Sequence, residues 1–495
     1  MKTILVAMNS SYVHAGAAVR SISAALGNCA PFFEYNINQD SHDVLRDILA
    51  QNADVIGFSC YIWNVDNILR LAESVKLSMP SIKIVFGGPE ASFRAKELLQ
   101  NYFVDFVMCG ECEESIADFL QELEAGGEIT TAGVMYKKDG KPTGDENYQI
   151  VKDLSVLPQP FAAGDVYDEN RIYYYESSRG CPFSCAYCMS GAMGGAVREK
   201  PLEQVMRELQ EFVKRGARLV KFTDRTFNAN AVRAKEIVRY VLEHTGDTAF
   251  HFEVALDLMD DEMIELLSGA PKGKIQLEAG VQSTNAQTLA AVIRSTSIEK
   301  MKNNARALRK NGNVHLHLDL IAGLPYETFE RFKCSFNEVY ALYADALQLG
   351  FLKLLPGTSL REDAQKYGIA YRSYAPYEVI KTSDISAAEL LRLKGAEELL
   401  NRYYNSGRAR TAFDYLTKNG IMQPFELYEG LYEFCAQNGY ASRPIGARNQ
   451  FVLLIKFAEE RLKQNEQDAF FAALRIDYDN TKIKGQIPPE LIKNI

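Results

Sequence analysis

Short apolar runs alternate with amphipathic segments along the first third of the chain, and this alternation restricts the possible folds most strongly. Runs typical of buried strands occupy residues 2–8, 54–60, 83–88 and 104–110. Segments with a helical hydrophobic period lie among them, for example at 65–79 and 113–126. Short buried strands joined by helices predict a parallel, doubly wound α/β sheet. Residues 133–144 read as a hairpin that turns at Asp139-Gly140.

The predicted strands of this first domain end in turns of small residues. The turns contain Ser59, the pair Gly87-Gly88, and Gly110. Ligands of doubly wound sheets bind at the carboxyl ends of the strands, where glycine allows the backbone to approach closely. We therefore expect a ligand at this edge.

The alternation of strand and helix patterns returns, with a longer period, between residues 172 and 356. Six candidate strands occupy residues 171–178, 218–224, 248–256, 274–282, 314–325 and 344–357. Six parallel strands with crossover helices predict a partial (β/α)6 TIM barrel, whose chemistry takes place at the carboxyl ends of the strands.

Changes of pattern divide the chain into domains. We predict a Rossmann-like domain at 1–150, a proline-containing linker at 151–165, the partial barrel at 166–365 and a helical C-terminal domain at 366–495. Helical periodicity is clear in the last part, but it indicates no activity.

Composition excludes several classes of function. The chain has 495 residues, a net charge of -9 and a pI near 5.5. This acidic balance argues against a general nucleic-acid or anionic-membrane binder, although it can conceal a local basic patch for a small RNA. No run of apolar residues is long enough to span a membrane, and the N-terminus lacks a signal peptide. Nine cysteines fit a reducing cytosol better than a disulfide scaffold. We expect a cytoplasmic protein without membrane or nucleic-acid partners.

Three cysteines follow the first predicted barrel strand in a C-x3-C-x2-C spacing: Cys181, Cys185 and Cys188. Three thiolates can bind three irons of a cubane cluster and leave the fourth iron open, whereas a structural cluster uses four thiolates. A zinc site is the alternative, but it usually needs a second pair of cysteines or histidines, and no matching pair follows Cys188. The spacing therefore predicts a [4Fe-4S] cluster with an open coordination position.

Carboxylates stand within or directly after apolar barrel strands. They are Asp224 in FTDRTFNAN, Glu253 in HFEVALD and Glu278 in QLEAGVQST. Charged groups rarely face a core without a partner, so the side chains of Glu253 and Glu278 are expected to face the barrel lumen. A helix N-cap is the alternative for Asp224, and an internal salt bridge or turn is the alternative for the others.

The cysteine motif, with Tyr187 before its third cysteine, resembles the radical S-adenosylmethionine (SAM) superfamily. The resemblance implies reductive cleavage of SAM to methionine and a 5′-deoxyadenosyl radical. It also implies that Asp224 accepts a hydrogen bond from the SAM ammonium group. The other SAM or substrate contacts that it implies are Tyr187, Glu253, Glu278, Gln282 and Gly323, the last beside the adenine.

The first domain is similar to the cobalamin-binding domain found ahead of many radical SAM domains. The likeness rests on residues 57–64, 87–93 and 109–115. It implies corrin contacts from Ser59, Tyr61, Gly87, Gly88, Gly110 and Glu111. Methionine-synthase-like domains carry a D-x-H-x-x-G loop, of which only His14 is present here. His14 is therefore expected near the corrin or substrate rather than on cobalt.

Together these resemblances imply a cobalamin-dependent radical SAM enzyme, most simply a methyltransferase acting on an unactivated carbon. Its expected partners are a small-molecule or peptide substrate and a low-potential electron donor such as flavodoxin or ferredoxin. Two alternatives stay open. The same cofactors could serve a cyclisation or rearrangement, or the first domain could recognise tRNA or protein without cobalamin.

Overall fold

The fold is taken from a computed structural model that describes residues 1–161, 168, 170–193, 196–440, 444–481, 483 and 487–491. The predicted linker at 151–165 thus ends outside the described residues. No helix in these ranges is both long and apolar enough to cross a membrane.

A seven-stranded sheet forms the first domain. Its strands are β1 (Thr3–Asn9), β2 (Phe32–Asn36), β3 (Val55–Ser59), β4 (Lys83–Gly87), β5 (Phe106–Met108), β6 (Val134–Lys138) and β7 (Lys141–Gly144). The order is β2-β1-β3-β4-β5-β6-β7, with β1 to β5 parallel and the last two antiparallel. The order of β1 to β5 is that of a flavodoxin-like doubly wound sheet, as predicted.

Six helices cover the faces of this sheet. They are α1 (Ala17–Ala25), α2 (Ser41–Leu49), α3 (Val65–Ser78), α4 (Pro89–Ser92), α5 (Ala95–Leu98) and α6 (Ile116–Ala125). Sequence analysis did not predict β2. This strand is short, lies at the edge of the sheet and buries only Tyr35, so it lacks the continuous apolar run of a central strand. The predicted hairpin is confirmed, and both Asp139 and Gly140 have positive φ, as a type I′ turn requires.

Six parallel strands form the second sheet in sequential order, which confirms the partial barrel. They are β8 (Tyr173–Tyr175), β11 (Leu219–Phe222), β12 (Ala249–Glu253), β13 (Ile275–Gln282), β14 (His315–Ala322) and β15 (Ala346–Phe351). A small ladder of β9 (Ser178–Arg179) with β10 (Arg198–Glu199) flanks the cysteine loop. Along β13, buried apolar residues alternate with half-buried Gln276, Glu278, Gly280 and Gln282, which face the lumen.

Helices surround the barrel on its outer side. They are α7 (Met189–Ala192), α8 (Leu202–Lys214), α9 (Ala231–His244), α10 (Asp261–Ser268), α11 (Ala286–Ala291), α12 (Ile298–Arg309), α13 (Phe329–Tyr340) and α14 (Ser359–Glu362). Phe212 of α8 and Val241 of α9 are fully buried against the sheet.

The C-terminal domain is helical, as expected, and it begins with a two-stranded hairpin. The hairpin pairs β16 (Ala370–Tyr371) with β17 (Val379–Lys381). The helices are α15 (Ala387–Leu399), α16 (Arg410–Lys418), α17 (Pro424–Gln437), α18 (Ala447–Arg461) and α19 (Gln464–Asp479). A π-helical turn, Leu400–Asn405, continues α15. One hydrophobic core runs through the barrel and these helices, whereas the first domain has its own core clusters.

The two open edges of the partial barrel are covered by different domains. At the β8 edge, His14 of the first domain forms an isolated parallel bridge with Ile172. At the β15 edge, the side chain of Asn405 pairs with the backbone of Leu347. Both neighbouring domains therefore contribute walls to the barrel.

Candidate active site

The cysteine loop runs from the end of β9 into α7, which begins directly after Cys188. The amide of Cys188 donates to the carbonyl of Cys185 over 3.0 Å, so the second and third cysteines share one tight turn. Cys185 is buried, its two partners are half-buried, and all three thiols are free. Backbone hydrogen bonds from Ala186 to Val292 (2.9 Å) and from Leu360 to Ala186 (3.0 Å) hold the loop. Three unpaired thiols on one anchored loop fit a three-ligand cluster site.

A cation beside this loop was not predicted from the sequence. Nη1 of Arg294 lies 3.7 Å from Sγ of Cys185, and Nη2 donates to the carbonyl of Gly280 over 2.5 Å. Tyr187 is mostly buried next to the same sulfur, and burial raises its pKa. Arg294 belongs to no motif and lies 109 positions from Cys185, so only the fold reveals the contact.

Asp224 has other partners than the SAM ammonium group that the resemblance implies. Its carboxylate is 1% exposed and accepts from the amide (2.8 Å) and hydroxyl (2.6 Å) of Ser177 and from the hydroxyl of Ser178 (2.6 Å). Burial raises the pKa of Asp224, whereas these hydrogen bonds act to lower it. Asp224 therefore anchors the start of the cysteine loop, since Ser177 and Ser178 precede Cys181 by four and three residues.

Glu278 lies in the lumen, as expected, beside two basic side chains. Its Oε2 is 3.0 Å from Nε2 of His251 and 3.1 Å from Nζ of Lys221. The hydrogen bond with His251 and the charge of Lys221 lower the pKa of Glu278 to about 2. Nearby, Nε2 of His317 lies 3.1 Å from Oδ1 of Asp319. The lumen thus presents both signs of charge to a ligand.

Glu253 ends β12 and is half-buried at the mouth of the barrel. Burial raises the pKa of Glu253, and the charge of Arg225 acts against that rise. Arg225 also acts on Tyr61 of the first domain, whose pKa burial raises to about 12. The charge of Arg225 therefore acts on one residue of each domain.

Gln282 and Gly323 have different surroundings. Gln282 has a φ of 68° at an irregularity of β13, and its buried Oε1 has no hydrogen-bond partner within the described chain. An orphaned oxygen at the mouth fits a ligand that donates a hydrogen bond to it.

Gly323 faces the C-terminal domain. Val379 and Leu390 of that domain each lie 3.7 Å from the position that a Cβ of residue 323 would occupy. The expected packing of Gly323 along an adenine stays a prediction.

At the carboxyl edge of the first sheet, Tyr61 stacks on Trp63 with ring centroids 4.3 Å apart. Trp63 is 48% exposed, which is unusual for tryptophan and leaves a flat apolar surface for a ligand. Ser59 ends β3 beside this pair.

The turn after β4 contains two glycines. Gly87 ends β4, and Gly88 has a φ of 96°, with a Cβ position only 2.7 Å from the Cys60 carbonyl. The close approach of these two strand ends therefore requires a glycine.

Gly110 and Glu111 contact protein where corrin contacts were expected. Gly110 has a φ of 100°, and a Cβ there would collide with the backbone of Gln149. Glu111 forms a two-pronged ion pair with Arg198, with oxygen–nitrogen distances of 2.7 and 2.8 Å. Burial alone would raise the pKa of Glu111, but the hydrogen bond from Arg198 lowers it. This turn therefore docks against the barrel domain.

His14 also faces the barrel. Its Nδ1 lies 2.6 Å from the hydroxyl of Tyr174, a residue of β8 in register with Lys221. Burial and the positive charge of Lys221 lower the pKa of His14, which favours a neutral imidazole.

These residues fit the cofactors that the sequence implies. The three free thiols can hold an iron–sulfur cluster, the orphaned Gln282 oxygen can accept from SAM, and the Tyr61–Trp63 stack can cover a corrin face. The turn after β5 and the cysteine loop are joined through one short bridge. Arg179, two residues before Cys181, pairs with Glu113 over 2.5 Å and with Glu111 over 3.1 Å.

Three family models match successive parts of the chain. The B12 binding domain matches residues 4–120, and the radical SAM superfamily matches residues 175–338. The chain is a radical SAM protein with a B12-binding domain. Residues 365–494 of this radical SAM protein match a protein family of unknown function, DUF4080. The expected cofactors, an iron–sulfur cluster, SAM and cobalamin, are confirmed by the first two matches.

Curated relatives include several methyltransferases. An uncharacterised methyltransferase of Pyrococcus horikoshii, PH0819, is 23% identical over 65% of this chain and 72% of its own. The cobalamin-dependent radical SAM methyltransferase TokK of Streptomyces tokunonensis is 25% identical over 64% of this chain and 49% of its own. The match thus spans about half of the length of TokK.

Solved structures share the fold. The cobalamin-dependent SAM radical enzyme OxsB aligns with a TM-score of 0.66 and 13% identity over 100% of this chain and 83% of its own. The radical SAM methyltransferase TsrM of Kitasatospora setae aligns with a TM-score of 0.63 and 17% identity, over 79% of this chain and 81% of its own. The predicted arrangement of a doubly wound domain, a partial barrel and a helical domain is confirmed.

Proposed function

We propose that this radical SAM enzyme is a cobalamin-dependent methyltransferase that transfers a methyl group to an unactivated carbon of a polar small molecule or peptide. One observation carries the proposal: Arg179 beside the cysteine loop pairs with Glu113 in the turn after β5. This ion pair brings the ligand edge of the first sheet to the mouth of the barrel. A methyl donor and a carbon radical would have to meet across such a boundary.

When bound, the cluster and SAM supply a 5′-deoxyadenosyl radical that removes a hydrogen atom, and the corrin supplies the methyl group. The chain's own residues prepare the site for this chemistry. Cys181, Cys185 and Cys188 hold the cluster, and Arg294 places a positive charge beside Cys185. The polar lumen around Glu278 binds and orients the substrate.

Exclusion of water and oxygen is the second requirement, because either would quench a carbon radical. The first domain covers the β8 edge through the contact of His14 with Tyr174. The C-terminal domain covers the β15 edge through Asn405. Each open side of the partial barrel is thereby covered in part by a neighbouring domain.

Anaerobic reconstitution tests the proposal. The full chain is loaded with iron, sulfide and hydroxocobalamin, desalted, and examined by absorption spectroscopy. Retained corrin bands beside the cluster absorption are expected. With SAM carrying a deuterated methyl group and a low-potential reductant, we expect 5′-deoxyadenosine, S-adenosylhomocysteine and a deuterated product from a pool of candidate substrates.

Matched cysteine variants control this experiment. Cys185→Ala should abolish SAM cleavage, whereas Cys334→Ala, which changes an exposed cysteine of α13, should leave it unchanged. 5′-Deoxyadenosine without S-adenosylhomocysteine would indicate cyclisation or rearrangement instead of methyl transfer. Cluster absorption without retained corrin would make the first domain a recognition module.

A further inference from the structure

A pocket lies beside the free edge of β15, between the lumen-facing side of this strand and the C-terminal domain. Its volume is about 540 Å³, within the usual range of small-molecule sites, roughly 300–1,000 Å³. The barrel wall of the pocket contains His317 and Gln348, and the opposite wall contains Lys394 and Glu397 of α15. Neither the cluster loop nor the corrin edge contributes to it.

The pocket exists because a side chain, rather than a strand, closes this edge. Asn405 accepts from the amide of Leu347 and donates to its carbonyl, each over 2.9 Å, so its amide group replaces one residue of a neighbouring strand. In the described chain β15 pairs with no strand except β14. The rest of its edge therefore stays open and forms the wall of the pocket.

The opposite wall is one face of a continuous helix. Lys394, Glu397, Asn401 and Asn405 recur at intervals of three and four residues, which places them along one side of α15 and the π-helical turn. All four line the pocket. A π-helical turn often marks a functional position in a helix. The apolar side of the same helix, with Leu393 and Ala396, belongs to the core.

Two opposite charges in the pocket are available to a ligand. The ammonium of Lys353 forms no ion pair with any described carboxylate, and its side chain is exposed at the end of β15. Among the described residues, Glu397 accepts a hydrogen bond from Asn401 alone, over 2.7 Å; burial raises its pKa, and the positive charge of Lys394 acts against that rise. By contrast, Lys394 and Glu378 neutralise each other across 2.8 Å. Among the described residues, the walls therefore offer one cation, Lys353, and one anion, Glu397, that form no ion pair with a neighbour.

The pocket opens toward the barrel lumen. Its residue His317 contacts Asp319, whose carboxylate lies near Glu278 in the lumen. On the lumen-facing side of β15, Ala346 and Gly350 have little or no side chain, which leaves room for a ligand to extend inward. A molecule anchored in the pocket could thus extend into the lumen.

We infer that this pocket, built jointly by β15 and the DUF4080 domain, binds the zwitterionic head of an amino acid. The carboxylate pairs with Lys353 and the ammonium with Glu397, while the side chain of the amino acid extends toward His317. A balanced pair of free charges suits a zwitterion better than a purely anionic or cationic ligand, which would leave one of the two charges unpaired. That the bound amino acid is the substrate rests on the proposed function; the binding itself does not.

Binding of free amino acids to the reconstituted full chain tests the inference. The twenty L-amino acids are tested singly at millimolar concentration by saturation-transfer NMR and thermal shift. We expect at least one to bind, and Lys353→Gln and Glu397→Gln each to weaken it about tenfold or more, as the loss of a charged hydrogen bond does. Glu398→Gln and Lys381→Gln are the matched controls, because both residues lie outside the pocket.

Derivatives of the bound amino acid identify which group meets which residue. Amidation of its carboxylate should weaken binding to the wild type but cause no further loss in Lys353→Gln. Acetylation of its amine should likewise cause no further loss in Glu397→Gln. Failure of all twenty amino acids to bind, or equal binding to the pocket variants and the wild type, would overturn the inference.

The outcome is separable from the proposed function. SAM cleavage and corrin retention need neither Lys353 nor Glu397, so both should persist in the two variants. If amino acids bind but no methyl transfer is found, the assignment of the pocket is supported and the proposed function is contradicted. If methyl transfer to another kind of substrate is found without amino-acid binding, the pocket assignment fails alone.

Discussion

The guanidinium of Arg294 lies 3.7 Å from the sulfur of Cys185 and is held there by the carbonyl of Gly280. A fixed positive charge and an N–H donor next to a cluster ligand stabilise the more negative, reduced cluster. This contact links the end of β13 to the cluster loop. It therefore suggests how the barrel tunes the cluster.

Arg294→Ala should make the reduction potential of the cluster more negative by on the order of tens of millivolts, because the reduced state loses its nearest cation. An EPR-monitored redox titration of the reconstituted chain measures this shift. Arg294→Lys should shift the potential less, since it retains a charge. Arg306→Ala, at the surface of α12, serves as the control. An unchanged potential in Arg294→Ala would contradict the tuning role.

Asp224→Ala should reduce thermal stability and iron content together. The substitution removes the acceptor for one amide and two hydroxyls of Ser177 and Ser178, at a cost of about 3 kcal/mol. Asp224→Asn retains one acceptor oxygen and should lie between Asp224→Ala and the wild type. The affinity for SAM per loaded cluster should remain that of the wild type. Lower SAM affinity at full iron content and stability would instead support the ammonium contact.

Glu111→Gln should loosen the first domain from the barrel without loss of corrin. The change leaves the partly buried Arg198 without its two-pronged partner, which costs roughly 2–3 kcal/mol at such a boundary. Limited proteolysis should then release the first domain faster. Glu146→Gln, in an exposed pair with Lys96, should have little effect. Lost corrin with unchanged proteolysis would indicate that Glu111 contacts the cofactor.

Much of the fold and part of the site follow from local patterns in the sequence. Buried strands that end in glycine or carboxylate identify the ligand edges, as at Gly88 and Glu253, because period and composition are local properties. The three cluster cysteines are similarly local. The edge strand β2 was missed, since an edge strand buries too little to show a continuous apolar run.

Contacts between domains could not be predicted in this way. Glu111 was expected at the corrin, but its partner Arg198 lies 87 residues away, and the pair forms only when two domains dock. Asn405 closes the edge of β15 from the C-terminal domain. The sequence around Asn405 predicts a helix but gives no sign of this contact. Such pairings depend on tertiary geometry, which hydrophobic periodicity does not encode.

Glu327 makes stability depend on pH. It is 1% exposed, and burial raises its pKa to about 7 although Ser283 and Ser335 donate to it over 2.5 and 2.9 Å. Because its folded pKa lies above the unfolded value of 4.5, the stability from the protonated carboxyl is complete below about pH 4.5 and is lost as the pH rises to about 7.

Glu327→Gln should remove this dependence, since its amide stays neutral and its oxygen can accept from both serines. Between about pH 5.5 and about pH 8, we expect the wild type to lose about 2 kcal/mol more stability than the variant. Thermal unfolding at the two pH values measures the difference. Glu330→Gln, on the exposed side of α13, is the control and should follow the wild type. A parallel decline in Glu327→Gln and the wild type would show that another group carries the pH dependence.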